Sequence, residues 1–185
     1  MDISSAITRT LQGDTRAYAV VVRTYQHMVY TVCHRVLRNT AEAEEAAQDT
    51  FVKAYRNLRG WNGSSKFSTW LYSIAFRTAV SQGRKRKGPA LCTDELTDHP
   101  IAEPAKDATE LRRHLDRALA ALPPEDAAIL SFFYLEELSV EEIVTVTGHS
   151  ASNVKVKLHR GRKKLLDVLQ AELKDEARTL LWDHA

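Results

Sequence analysis

Between Tyr18 and Leu37, apolar side chains recur at spacings of three and four: Tyr18, Val21, Val22, Tyr25, Met28, Val29, Val32, Cys33, Val36 and Leu37. That period belongs to an α-helix buried along one face, and such a face needs other helices to cover it. A second stripe, Ala43, Ala46, Ala47, Thr50, Phe51, Ala54, Tyr55 and Leu58, follows "RNTAEAEE", where Thr40 is placed to cap. A third, Phe67, Trp70, Leu71, Ile74, Ala75 and Ala79, follows the breaker "GWNGSS" and runs into the basic "GRKRKG". A shorter helix precedes all of these and ends at Leu11 to Gly13. No segment keeps the alternation a strand would need, so the chain reads as all-α.

With 185 residues and 44% hydrophobic content, the chain can bury a core as one domain or as two small ones. The charge pattern and the prolines favour two. Residues 1 to 90 hold 14 Lys and Arg against 6 Asp and Glu, whereas residues 91 to 110 hold one base, Lys106, against six acids. That acidic stretch carries Pro89, Pro100 and Pro104 close by and no apolar period, as a linker would. The expected division is a helical domain over 1–88, a linker over 89–106 and a second helical domain over 107–185. Two basic surfaces separated by an acidic connector suit a polyanionic partner touched at two places.

In the second domain, Leu111, Leu115, Ala118, Leu119 and Leu122 form a helix that Pro123-Pro124 stops, with Pro124 suited to begin the next. Ser139-Val-Glu-Glu142 reads as a capping box, Gly148 as a stop, and Ser150 as the cap of "ASNVKVKLHRGRKKLL". A short helix, a Gly-containing turn and a longer basic helix over 151–165 make a helix-turn-helix. At 100° per residue, Val154, Leu158, Gly161 and Leu165 share a buried arc, and Ser152, Val156, His159 and Lys163 lie opposite. Asn153, Lys157, Arg160 and Lys164 take one flank, and Lys155 and Arg162 the other. Cationic flanks with small polar groups between them suit a major groove, where flanks meet phosphates and the centre meets base edges.

Several classes fit poorly. No apolar run approaches the roughly 20 residues of a membrane span, and the N-terminus has no secretory pattern, so a cytoplasmic protein without membrane insertion is expected. Cys33 and Cys92 form no Cys-x-x-Cys pair, and the seven histidines show no ligand spacing, so no metal and no cofactor is expected. No converging nucleophile, base or Gly-rich phosphate loop points to an enzyme.

The order "AEEAAQDTFVKAYRNL", "FSTWLYSIAFRTAV", a basic run, a linker and "ALAALPPEDAAILSFFYLEELSVEEIVTVTG" resembles the extracytoplasmic-function class of bacterial sigma factors, from about Leu11 to Leu169. The resemblance implies an N-terminal region two that grips core RNA polymerase and opens the minus-ten element. It also implies a C-terminal region four that reads the minus-thirty-five element, and an anti-sigma protein as a further partner. Glu45, Gln48 and Asp49, with Lys53 on the same side, would face polymerase, while Phe51 is core. The loop Gly60 to Lys66, with Trp61, Asn62, Gly63, Ser64, Ser65 and Lys66, would take up a flipped minus-ten base. Trp61 then offers a stacking face or is buried in the core. Tyr72, Phe76 and Arg77 would meet unstacked bases, or the two aromatics pack on a neighbouring helix. Region four would use Ser152, Asn153, Lys155, Val156, Lys157, His159, Arg160, Arg162 and Lys163. Gly161 and His149 depart from the family's pattern and are expected to loosen the recognition helix. The other reading is a stand-alone helix-turn-helix regulator that needs no polymerase.

Overall fold

The computed structural model describes residues 2–87 and 110–182; the linker expected over 89–106 lies outside the described residues. Eight α-helices follow in order: α1 Ile3–Leu11, α2 Tyr18–Leu37, α3 Thr40–Asn57, α4 Phe67–Lys87, α5 Glu110–Ala120, α6 Pro124–Tyr134, α7 Val140–Thr147 and α8 Ala151–Trp182. There is no strand among the described residues.

The stripe on α2 lies at the centre, with Val21, Val29 and Cys33 fully buried, and α1, α3, α4 and α6 packed around it. Small residues on α3, Ala43, Ala46 and Ala54, let that helix approach closely, and the Tyr18 hydroxyl donates to the Phe51 carbonyl at 2.8 Å. Burial pushes the Tyr18 phenol up to about 12 and the Cys33 thiol up to about 12, so both stay neutral. The turn from α2 to α3 is set by Arg38 in the left-handed region, φ 54°, and by Asn39, whose side chain accepts from the Glu42 amide at 3.0 Å. Asn39 therefore caps α3 and Thr40 is its first residue, so the helix starts one position earlier than the sequence suggests. At the other end, Asp14 accepts from the Arg16 and Ala17 amides and pairs with Arg9 at 2.6 Å, which fixes the corner between α1 and α2.

Pro124 occupies the first turn of α6, as its fixed φ favours. Both halves of the capping box at α7 form: Glu142 donates its amide to Ser139 Oγ at 3.1 Å, and its carboxylate accepts from the Ser139 amide at 3.0 Å. Gly148 ends α7 at φ 76°, and Ser150 accepts from the Asn153 amide to start α8. Ile143 and Val146 of α7 meet Val154 and Leu158 of α8 in the interior. This second group of helices shares one continuous core with the first, because α6 packs on α2 and α7 on α4.

Gly161 does not loosen this assembly. A Cβ there would stand 2.8 Å from Leu130 Cδ1 and 3.3 Å from Leu130 Cγ, so the missing side chain is what allows α8 to close on α6. Gly161→Ala gains about 1 kcal/mol of helix propensity against the displacement of one methyl group, and should be close to neutral. Gly161→Val gains less propensity and adds two further methyl groups, and should destabilise by about 1–3 kcal/mol. Denaturant unfolding of the two variants beside the parent checks the pair. A Gly161→Val protein as stable as the parent would mean the two helices are not in contact there.

Candidate nucleic-acid interface

On α8, Ser152, Asn153, Lys155, Val156, His159, Arg160 and Lys163 are all exposed on the side away from Val154, Leu158 and Gly161. The sequence places this face correctly, but two of its expected phosphate contacts are engaged within the molecule. Lys157 lies 2.6 Å from Asp126 and 3.9 Å from Glu125, at the start of α6. Arg162 stacks over Phe133 and Tyr134, its guanidinium carbon 5.5 Å and 5.7 Å from the ring centres. Lys155, Arg160, Lys163 and Lys164 make no ion pair among the described residues and carry the free positive charge of the helix. His149 Nε2 sits 3.3 Å from Glu125 Oε2 without a hydrogen bond, which places the turn residue beside the start of α6.

The loop between α3 and α4 is organised by its own polar groups. Trp61 donates from Nε1 to the Ser65 carbonyl at 3.1 Å and packs edge-on against Phe67, with centroids 5.4 Å apart. Its ring is thus a half-buried wall and not a free stacking face. Asn62, Gly63 and Ser64 are exposed, and Asn62 accepts from the Ser64 amide at 3.1 Å. Lys66 reaches Glu142 of α7 at 3.2 Å. The Glu142 carboxyl is held below its usual range by the Ser139 amide first and by Lys66 after it.

On α4 the two expected base-contacting aromatics are inside. Tyr72 is 5% exposed and Phe76 3%, both against Phe132 of α6, with ring centroids 6.2 Å and 6.1 Å away. The Tyr72 hydroxyl donates to Glu136 at 3.3 Å, and burial raises the pKa of both groups. Arg77 remains exposed and lines an open cleft of about 710 Å³ with Ser81, Arg84, Lys85, Glu125 and His149.

The α3 surface presents Glu45, Gln48 and Asp49 to solvent, as expected. Lys53 bonds Thr78 of α4 at 3.1 Å and stands 3.9 Å from Asp49. Two residues had been missed there: Val52, 47% exposed, and Tyr55, 41% exposed and expected to be core. The signal was available, since Val52 and Tyr55 follow Gln48 by four and seven residues and share its face. A second feature missed is an apolar groove of about 400 Å³ between α5, α6 and α8, lined by Leu115, Leu119, Tyr134, Leu135, Leu166 and Leu169. Its signal lies in the continuation of α8 past the expected end at 165.

These placements predict unequal roles for the cations of α8. Lys157→Met should lower stability by about 1–3 kcal/mol, between the values of exposed and buried pairs, because Asp126 is left without its partner. Lys155→Met and Lys163→Met should stay within about 0.5 kcal/mol of the parent. Thermal unfolding at fixed pH separates the two groups, and equal losses would contradict the pairing.

Comparison with known proteins agrees with this geometry. Residues 21–88 match the family model Sigma-70 region 2, and residues 112–165 match Sigma-70, region 4. The ECF RNA polymerase sigma factor SigW of Bacillus subtilis is 32% identical over 178 residues, covering 89% of this chain and 95% of that protein. The RNA polymerase sigma-H factor of Pseudomonas aeruginosa is 30% identical over 91% of this chain and 94% of its own length. Among solved structures, the sigma factor RpoE of Bartonella quintana, in complex with the anti-sigma factor NepR, matches with a TM-score of 0.70 at 19% identity, over 84% of this chain and 98% of that one. With two sigma regions in order and a relative of this similarity along nearly its whole length, the chain belongs to the ECF RNA polymerase sigma factors.

Proposed function

We propose that this sigma factor binds core RNA polymerase through the exposed face of α3 and directs it to promoters whose minus-thirty-five element is read by α8 and whose minus-ten element is opened by the 60–66 loop and α4. The observation that carries the reading is the helix-turn-helix: Ser152, Asn153 and Val156 are exposed beside Lys155 and Arg160, which make no ion pair among the described residues. Such a face suits direct readout flanked by phosphate contacts. The working division remains 1–88, 89–106 and 107–185 for region two, connector and region four. The protein acts in the cytoplasm, where polymerase is, and does no chemistry of its own. Among the described residues no helix is long and apolar enough to cross a membrane, which is compatible with that location. An anti-sigma factor is a further proposed partner, by analogy with the complex of RpoE with the anti-sigma factor NepR.

On α3, Glu45, Gln48, Asp49, Val52 and Tyr55 combine two acids with exposed apolar surface, a composition suited to a protein partner rather than to DNA. In the loop, Asn62 and Ser64 offer hydrogen-bonding groups beside the Trp61 wall, which suits a base only after it has left the duplex.

Asp49→Arg should reduce the amount of core polymerase recovered with the protein at least several-fold, with unfolding unchanged within about 0.5 kcal/mol. Undiminished recovery would remove α3 from the polymerase contact. Replacing Asn62, Ser64 and Ser65 together by alanine should spare polymerase binding but suppress transcription from a duplex promoter. A template already mismatched across the minus-ten element should restore part of it, since unpairing costs a few kcal/mol that the mismatch removes. Full activity of the triple variant on duplex DNA would leave the loop a connector.

A further inference from the structure

The cleft beside α4 gathers positive charge that the fold itself does not use. Arg77, Arg84 and Lys85 line it from α4, and none of the three makes an ion pair among the described residues. At 100° per residue they share one side of the helix with Ser81, so the cations converge on a single opening. Thr147 and His149 of the helix-turn-helix line it as well, with Glu125 of α6 as the one carboxylate among the lining residues. That carboxylate is turned to other groups: it stands 3.3 Å from His149 Nε2 and 3.9 Å from Lys157 Nζ and pairs with none of the α4 cations. His149 Nε2 makes no hydrogen bond.

The plainest account of such cations is that they complement the dipole at the end of a helix, an effect confined to the last turn. It covers Arg84 and Lys85, near the end of α4 at Lys87, but not Arg77, which lies at the middle of the helix. Like charges lining a cleft with low-dielectric walls reinforce one another's field and raise the local concentration of anions. Guanidinium groups offer two parallel donors to the oxygens of a phosphate, and a lysine adds a point charge beside them. At about 710 Å³ the cleft falls within the range of about 300–1,000 Å³ of small-molecule sites, and it is roomier than a single phosphate requires.

We propose that this cleft is a binding site for a small polyphosphate anion, whose phosphate chain lies along Arg77, Arg84 and Lys85 and whose far side meets Thr147 and His149. The chain of an inorganic polyphosphate and that of a nucleotide present the same chemistry to the cations. They differ in whether a base rests on the apolar part of the lining, Phe76 and Val80. Arg84 and Lys85 belong to no surface assigned above to DNA or polymerase, so the site does not depend on the promoter reading. Arg77 is shared with that reading, and there the anion and a melted strand compete.

The test is calorimetric titration of the full chain with sodium tripolyphosphate, and separately with magnesium-free ATP, at about 0.15 M salt, where exposed charges far apart are largely screened. Tripolyphosphate should give a single-site isotherm and raise the thermal midpoint of the parent, as a ligand of the folded state does. Arg84→Gln with Lys85→Gln, and separately Ser81→Glu, which sets a carboxylate in the cleft, should each weaken binding about tenfold or more and abolish the midpoint rise. All three positions are exposed, so the variants should keep the parent's midpoint without ligand. Arg16→Gln with Arg23→Gln removes the same charge from exposed positions on other elements and should leave the affinity within about twofold. Tighter binding of ATP than of tripolyphosphate assigns the site to a nucleotide, and equal binding assigns it to an inorganic chain. The proposal is overturned by the absence of saturable binding, or by an equal loss in the Arg16 and Arg23 variant, which would reduce the effect to a general attraction of a cationic surface for anions.

Discussion

Phe132 is only 1% exposed, and the residues that close over it, Tyr72 and Phe76, come from the other sigma region. Burying a side chain of this size contributes about 1.5–3 kcal/mol, and each aromatic pair adds about 0.5–1.5 kcal/mol beyond its area. Those sums are comparable with a sizeable part of a small domain's net stability. The remaining architecture follows from this contact. With Phe132 seated, α6 lies on α2 and α7 on α4, and α8, which packs on α6 and α7, turns its basic face outward.

Much of this was legible in the sequence because helical periodicity reports burial directly. The stripes on α2 and α3, the stop at Pro123-Pro124, the capping box at Ser139 and the buried arc of α8 all recur in the structure. Local chemistry was misread where two candidates were adjacent: Thr40 and Asn39 are both good caps, and only the extended backbone of Asn39 lets its side chain reach the Glu42 amide. Tyr55 fitted an apolar stripe on spacing alone, but its ring leans edge-on against Tyr18 at the rim of the core and remains 41% exposed.

The larger gap lies in contacts between helices distant in sequence, which no local pattern encodes. Lys157 and Arg162 have the spacing of phosphate ligands, yet their partners Asp126, Phe133 and Tyr134 stand on α6. Gly161 shows the same limit in reverse. As a departure from a family pattern it suggests slack, whereas its meaning depends on the distance to Leu130, a residue 31 positions away that only the fold brings near.

The net charge of +2 is therefore a poor guide to how this molecule meets DNA. Of the cations that pair internally, Arg35 and Lys66 use their charge to hold the two regions together, and Lys157 ties α8 to α6 within the second. Among those without an ion pair to the described residues are two local groups, Lys155, Arg160, Lys163 and Lys164 on α8 and Arg77, Arg84 and Lys85 on α4. The α8 group is exposed as the chain stands, whereas Tyr72, Phe76 and Lys66, proposed above to meet a melted strand, are already engaged. Duplex recognition and strand capture thus differ in what they ask of the fold. On the proposed assignment the first needs only the exposed helix, and the second must displace the packing of Tyr72 and Phe76 on Phe132.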